Sequence, residues 1–299
     1  MELRNLEYFV AVADEGSFTR AAARLYVTQP TVSSQIQALE RELGEPLFDR
    51  LPRSVELSDG GRLLLPYARQ CLAAAEDAKA EFSARSGLVR GELRLGTGGG
   101  VENGAVPATL GAFHEKHPGV DVELVEATSA PLVDLVLSGR LHAAVVAETR
   151  QPLPAGLASA TMFTDQLVAV FDPAHFAFDG AAVTLTAIAR QPLITYPSTS
   201  ALRATLDACA DDGSVPLNVR FVANDVRLQI ALVRQGIGVA VSARSDPALM
   251  GLDDLEIRPL DPAVEFSKAI IWRNDVRPGA PLRAFLDLWE VAHSRSSER

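Results

Sequence analysis

The chain has 299 residues and is 47% hydrophobic, enough for a well-filled core in two domains or in one small domain joined to a larger one. No apolar run approaches the ~20 residues of a membrane-spanning helix, and Cys71 and Cys209 lie far apart with no Cys-x-x-Cys or Cys/His cluster, which sets aside a disulfide framework and a structural zinc site. The formal charge of −10 argues at face value against a nucleic-acid partner, and residues 1–65 carry seven arginines and no lysine against ten acidic residues, a net −3. Any DNA contact must therefore rest on where the arginines point.

Residues 1–58 read as helices followed by a short hairpin. The N-terminal residues lack the basic-then-apolar order of a signal peptide, so a cytoplasmic protein is expected. Gly16-Ser17-Phe18-Thr19-Arg20-Ala21-Ala22-Ala23-Arg24-Leu25 opens with capping residues and continues with good helix formers. Tyr26-Val27 makes a turn, Thr28 suits the N-cap of a second helix, and Pro30 is tolerated in its first turn. That helix is expected to bury Val32, Ile36, Leu39 and Leu43, spaced 4, 3 and 4. Its other face carries Pro30, Thr31, Ser33, Ser34 and Gln37. Two short helices joined by a tight turn fit a helix-turn-helix. Gln pairs bidentately with adenine, Ser and Thr bond base edges, and the Thr methyl and Pro meet the thymine methyl. Taken alone, the same face reads equally well as an ordinary solvated surface. Residues 46–50 and 53–58 then read as two short strands with a turn at Leu51-Pro52. They form a wing that places Arg50 and Arg53 within reach of phosphate or the minor groove.

Residues 59–86 read as one long helix containing Pro66, which should bend it. Leu64, Ala68, Cys71, Ala75, Ala78 and Phe82, spaced 4, 3, 4, 3 and 4, form a heptad seam. The seam suits either dimerisation or packing on the helix's own domain. Ser86-Gly87 and Gly91 bracket a hinge. From Glu92 onward strands and helices alternate as in βαβ units: strand 93–95, helix 105–117, strand 120–125, helix 131–138 capped by Gly139, strand 143–147, strand 167–171, strand 192–195, helix 199–210, strand 218–223, helix 225–235, strand 237–241 and a closing helix 282–293.

Several of these strands end in small polar residues just before a helix: Thr97 with Gly98, Gly99 and Gly100; Thr128 with Ser129; Ser198 with Thr199; Asn224 with Asp225. Helix N-termini gathered at the C-terminal edge of an open α/β sheet favour anionic ligands, although each residue singly suits plain capping. The glycine run is no nucleotide loop, because Val101 breaks Gly-x-Gly-x-x-Gly. No Gly-x-x-x-x-Gly-Lys-Ser/Thr or Gly-x-Ser-x-Gly occurs, and the five histidines show no metal-ligand spacing.

Ser17 to Leu25, Thr28-Gln29-Pro30-Thr31-Val32-Ser33-Ser34-Gln35-Ile36, Leu39-Glu40-Arg41-Glu42-Leu43-Gly44, Leu47-Phe48-Asp49-Arg50, Arg53 and Leu57-Ser58-Asp59-Gly60-Gly61 together resemble the N-terminal signature of LysR-type transcriptional regulators. Gly91-Glu92-Leu93-Arg94-Leu95-Gly96, His117-Pro118-Gly119-Val120 and Gly236-Ile237-Gly238-Val239 extend the resemblance along the chain. It implies an α/β multidomain fold: a winged helix-turn-helix over 1–58, a dimerising linker helix and hinge over 59–89, and a periplasmic-binding-protein-like effector domain over 90–299. Subdomain I would span about 90–163 and 268–299 and subdomain II about 164–267, joined by two crossover strands.

It further implies a dimer or tetramer that binds promoter or operator DNA, responds to a small anionic effector, and has RNA polymerase as a further candidate partner; no cofactor and no catalysis are expected. Pro30, Thr31, Ser33 and Ser34 would read bases with help from Gln29, while Arg50 and Arg53 hold the backbone. Thr97, Gly98, Gly99, Gly100, Thr128, Ser129, Ser198, Thr199 and Asn224 would surround the effector. Two departures stand out: His142 occupies a common Asp position at the start of a strand, and Gly100 a common hydroxyl position. The alternatives are a small-molecule binding protein whose N-terminal domain serves only assembly, which the acidic count favours, and an enzyme with an α/β core.

Overall fold

A computed structural model describes residues 1–50, 55–84, 88–101, 105–148 and 152–296. The chain forms two compact units, one built from residues 1–87 and one from nearly all the remainder.

The first unit runs α1 (Leu3–Glu15), α2 (Phe18–Arg24), α3 (Gln29–Leu43), β1 (Phe48–Arg50), β2 (Val55–Leu57) and α4 (Asp59–Ala84). Leu6, Phe9 and Val12 of α1 meet Ala21 and Ala22 of α2 and Val32, Ile36 and Leu39 of α3 in one core, which Leu47 and Phe48 close. The Phe48 ring lies 5.4 Å from Phe9 and 5.6 Å from Phe18. Leu43, expected in this core, is 42% exposed. It is the last residue of α3, where Gly44 turns the chain at φ +84°.

Ser17 caps α2 by accepting from the Arg20 N–H. The other end of α2 is a Schellman arrangement. Val27 N–H donates to Ala22 O at 3.0 Å and Tyr26 N–H to Ala23 O at 3.2 Å, with Tyr26 at φ +55°. A non-glycine residue there costs about 1–2 kcal/mol. Thr28 stands at the N-cap of α3 without capping it, because its hydroxyl pairs with that of Thr31 at 2.8 Å. β1 and β2 pair antiparallel, Phe48 opposite Leu57 and Arg50 opposite Val55. The turn at Leu51-Pro52, Arg53 and the Ser86-Gly87 hinge lie outside the described residues. Ser58 accepts from Gly61 N–H at 3.0 Å and starts α4 against the wing. Only glycine fits at position 61, where a Cβ would stand 2.1 Å from Leu47 O.

The second unit comprises β3 (Gly91–Thr97), α5 (Ala105–Lys116), β4 (Val120–Glu126), α6 (Ser129–Leu137), β5 (Ala143–Glu148), β6 (Leu157–Phe171), β7 (Val183–Thr184), α7 (Leu185–Ala189), β8 (Leu193–Thr195), α8 (Ala201–Asp212), β9 (Val219–Val222), α9 (Val226–Val233), β10 (Val239–Ala243), a 3-10 turn (Pro247–Leu249), β11 (Glu256–Asp261), β12 (Glu265–Arg273) and α10 (Ala280–Ser296). The strand order is β4-β3-β5-β12-β6-β10-β8-β9. On each side three parallel strands repeat one topology, the first central, the second outermost and the third innermost. The long strand β6 joins the halves. It pairs with β12 up to Gln166 and with β10 from Leu167, and the chain crosses back between β11 and β12.

α5 and α10 cover one face of the first half through Phe113, Phe285 and Trp289, and α6 covers the other through Leu132 and Val136. The second half has its own core around Phe171, Ile194, Leu206 and Ile230. β6 starts ten residues before the strand expected at 167–171, α6 starts at Ser129 rather than 131, and α8 starts at Ala201 rather than 199.

Candidate nucleic-acid interface and ligand cleft

α3 separates its faces cleanly. Val32, Ile36 and Leu39 are fully buried, while Gln29, Pro30, Ser34 and Gln37 are exposed and Thr31 and Ser33 half-buried on the outer side. The Ser34 hydroxyl donates to Thr31 O at 2.9 Å, so in this rotamer it can only accept from a base edge. Three of the unit's acids are paired with its arginines. Asp14 bonds Arg69 at 2.6 Å and, with Glu15, holds Arg24 at 3.6 Å; Glu15 also pairs with Arg20, and Asp59 with Arg62 at 2.6 Å. These acids answer arginines within the unit. Arg50 ends β1.

α4 divides its duties differently from a simple heptad. Leu64, Leu65, Ala68 and Leu72 pack on the unit's own core, so Leu64 and Ala68 leave the expected seam. The apolar residues left outside are Leu63, Tyr67, Cys71, Ala74, Ala78 and Phe82, the last 71% exposed. Their spacing of 4, 4, 3, 4 and 4 keeps them within an arc of about 100°. Pro66 lies inside the helix.

In the second unit, a cavity of about 320 Å³ opens between the two halves, bounded by Gly99, Gly100, Glu126, Asn224, Arg227 and Asp246 among others. A smaller space of about 40 Å³ adjoins it, bounded by Gly98, Thr128, Ser129, Tyr196, Asn224 and Lys268 among others. Six of the nine expected effector residues thus line one or both spaces. Thr97 is buried beneath them at the end of β3, with its carbonyl accepting from Ala127 N–H at 3.2 Å. Ser198 and Thr199 are exposed and line neither. Thr199 acts instead as a latch: Thr128 Oγ1 donates to Thr199 Oγ1 at 2.9 Å, and Ala130 N–H to Thr199 O at 3.2 Å. Ser129 Oγ accepts from Ala147 N–H at 3.3 Å, tying α6 to the end of β5.

Three groups that hold the cleft were not among the expected residues. Lys268 is 4% exposed, and its ammonium donates to Gly99 O at 2.7 Å and Gly100 O at 3.0 Å. Asp246 caps the turn at Pro247 by accepting from Ala248 N–H at 2.9 Å. Tyr196 OH accepts from Ala243 N–H at 3.1 Å, and burial pushes its phenol well above the ordinary value, so it stays neutral. Lys268 had a signal in the sequence. It takes a place in the buried period of β12 with Phe266 and Ile270 on either side, where a cation is costly unless bonded.

Gly100 now has a reason. Its φ is +73°, and a Cβ would stand 3.2 Å from both the Asp246 carboxylate and Lys268 Nζ, so a hydroxyl side chain would have to displace them. His142 also fits. Its Nδ1 accepts from the Arg94 backbone N–H at 3.0 Å, the His142 backbone N–H donates to Arg94 O at 2.9 Å, and burial followed by the Arg94 charge lowers its pKa to about 4. Among the described residues no cluster of metal ligands occurs, and no helix is long and apolar enough to cross a membrane.

A helix-turn-helix with a β-hairpin wing, together with a two-halved α/β unit around a cleft, defines the architecture of a ligand-responsive DNA-binding transcriptional regulator. Residues 3–62 match the family model described as bacterial regulatory helix-turn-helix protein, lysR family, and residues 86–291 match the LysR substrate binding domain. The HTH-type transcriptional regulator IlvR of Caulobacter vibrioides is 33% identical over 280 residues, 92% of this chain and 93% of that protein. The crystal structure of full-length CbnR complexed with its target DNA superposes with a TM-score of 0.65 at 25% identity, covering 98% of this chain and 100% of that one. A full-length OxyR variant from Pseudomonas aeruginosa shares the fold, with a TM-score of 0.75 at 23% identity over 98% and 94% of the two chains. The chain belongs to the LysR family of DNA-binding transcriptional regulators.

Proposed function

We propose that α3 reads an operator in the major groove through Pro30, Thr31, Ser33 and Ser34, assisted by Gln29, while Arg50 and Arg53 of the wing hold the DNA backbone. The carrying observation is the division of α3 into a buried face of Val32, Ile36 and Leu39 and an outer face of small hydrogen-bonding residues. In this reading residues 1–58 bind DNA, 59–89 link and dimerise, and 90–299 bind the effector, with subdomains of about 90–163 with 268–299 and about 164–267. The exposed α4 stripe supports a second copy as partner, because its spacing reads the same in both directions, as a two-fold interface between antiparallel helices requires. The protein acts in the cytoplasm as a homodimer or homotetramer, on double-stranded DNA and with RNA polymerase.

The effector is a small metabolite bearing an anionic group. That group takes the side of the cleft at Gly98, Gly99, Thr128 and Ser129, where helix α6 begins, away from Glu126 and Asp225 at the wider end. A ligand that binds the open and closed forms with different affinity shifts the halves about β6 and alters DNA contact.

The test selects bound duplexes from a random-sequence pool and compares the wild-type protein with Ser33→Ala. Loss of about 1–3 kcal/mol at one base position supports the reading. Equal loss on selected and random duplexes removes Ser33 from base recognition. Selection of no duplex at all returns the N-terminal unit to an assembly role.

A further inference from the structure

We infer that Tyr26 is a further DNA contact, laying its ring and hydroxyl against the sugar–phosphate backbone where the chain turns into α3. The inference rests on the reading of α3 as the recognition helix.

Tyr26 occupies the residue after the end of α2 at which a Schellman turn demands a left-handed backbone, with φ +55°. Glycine or asparagine meets that demand at least cost, and a tyrosine side chain is strained there. Among the described residues no packing or side-chain hydrogen bond of Tyr26 offsets the strain. The side chain is 97% exposed, the most exposed large apolar side chain among the described residues, while its neighbour Val27 packs on the core. A strained residue that contributes no packing points to a role outside the fold.

Its position suggests which one. Tyr26 precedes the N-cap Thr28 by two residues and, like Thr28, Gln29 and Pro30, is exposed. A side chain at this end of the recognition helix faces whatever the helix faces. The phenol O–H donates well to phosphate oxygens, and the ring covers a sugar. Arg20 and Arg24, on the same helix–turn segment, are paired with Asp14 and Glu15, so a neutral donor has particular value for holding the backbone here.

A neutral contact has a signature that an arginine lacks: it adds affinity without releasing a counterion. Full-length wild type, Tyr26→Phe and Tyr26→Gly are titrated against a duplex selected from a random pool and against a random duplex, over a salt series, with thermal melts of each protein. Tyr26→Gly is expected to raise the melting temperature while weakening both duplexes about tenfold, with the slope of log K against log salt unchanged. Tyr26→Phe should lose part of that affinity and keep the wild-type melt. Undiminished binding by Tyr26→Gly overturns the inference and points to a protein partner for the ring. So does a lowered melt, which makes the residue structural, or a slope change of about one, which makes the effect that of a displaced arginine. If wild type selects no duplex, the reading of α3 falls, and this contact with it.

Discussion

The outer face of α3 and the cleft of the second unit hold their functional groups in opposite ways. On α3 the candidate side chains follow one another within nine residues and stand on a single helix, and among the described residues Ser34 and Thr31 bond locally while Gln29 and Pro30 have no side-chain partner. In the cleft they come from strand ends and helix starts across the whole unit and are already committed to one another. Lys268 holds the 99–100 carbonyls, Thr128 holds Thr199, Ser129 holds the end of β5, and Tyr196 holds Ala243. The first surface is ready-made and needs only a complementary edge. The second is a set of side chains that already hold the fold of the cleft, and a ligand must work beside or in place of those bonds. That is the behaviour wanted from a switch, whose two states must differ in contacts if the ligand is to shift them.

The sharpest way to break the contrast is Lys268→Met. If these bonds hold the cleft together, losing two charge-assisted bonds from the buried ammonium to part-buried carbonyls should cost about 3 kcal/mol of stability. Urea unfolding followed by intrinsic fluorescence reads the loss, and effector response should vanish with it. A change below about 1 kcal/mol would show that the carbonyls find water readily and that the cleft is open in solution.

A second test moves the comparison to α4. Ala78→Glu places a charge in the exposed apolar stripe and should weaken self-association about 100-fold, roughly 3 kcal/mol. Ala75→Glu, which belongs only to the heptad reading, should do less. Sedimentation at several concentrations separates the two. Equal effects would restore the heptad seam.

What could be read from the sequence follows the same division. The helix-turn-helix, its caps and the burial of Val32, Ile36 and Leu39 depend on spacing within a few residues, and the sequence shows them. Leu43 lies outside the core that its period predicts, and Leu64 and Ala68 take the own-domain packing that is one of the seam's two readings, because periodicity identifies an apolar face without saying which neighbour covers it. The first part of β6 was missed because Ala158-Ser159-Ala160-Thr161 carries little contrast between its faces. Glycines 98–100 and Ser129 could be named from strand-to-helix junctions. Lys268, Asp246 and Tyr196 meet only because β6 and the return into β12 bring the halves together, which no local pattern records.

His142 sharpens the contrast through pH. Unfolded, its imidazole takes a proton near 6.5; folded, burial and Arg94 delay this to about 4. Between those values the unfolded state binds more protons, so this stabilisation is complete above about pH 6.5 and is lost as pH falls toward 4. After allowing for residual hydration, the loss is about 2 kcal/mol. Asp172, held down by Ala174 N–H and His175, and Asp254 and Asp275, held down by Arg234 and Arg273, act only below the ordinary carboxylate range. The windows therefore separate. In His142→Asn, whose side-chain oxygen can still accept from Arg94 N–H, the slope of stability between pH 7 and 5 should fall, leaving the contribution of His117, whose pKa burial also lowers. An unchanged slope would place the titration elsewhere.

The smallest expected effect decides how the cleft works. Ser129 is the candidate ligand donor nearest to a purely structural explanation, because its oxygen already accepts from Ala147 N–H. That bond is long, at 3.3 Å, and it uses the oxygen's lone pair, leaving the hydroxyl proton for an anionic ligand in the adjoining space. Both roles can coexist in one atom, and Ser129→Ala removes both. The structural share should appear as about 1 kcal/mol in a thermal melt, from one lost hydrogen bond to a backbone group. The ligand share should appear only in the presence of effector: calorimetric titration with a responsive metabolite should show weaker binding, while DNA affinity without effector stays at the wild-type level. Thr128→Val supplies the contrast, since it cuts the latch to Thr199 without touching the Ser129 hydroxyl. Because the Thr128 hydroxyl proton is given to Thr199, leaving its backbone and not its side chain to the ligand, this variant should alter the coupling between ligand and DNA more than ligand affinity. A Ser129→Ala protein that melts lower yet binds the metabolite as tightly as wild type would reduce Ser129 to a tie between α6 and β5 and move the anion's seat to the backbone N–H groups of the glycine run.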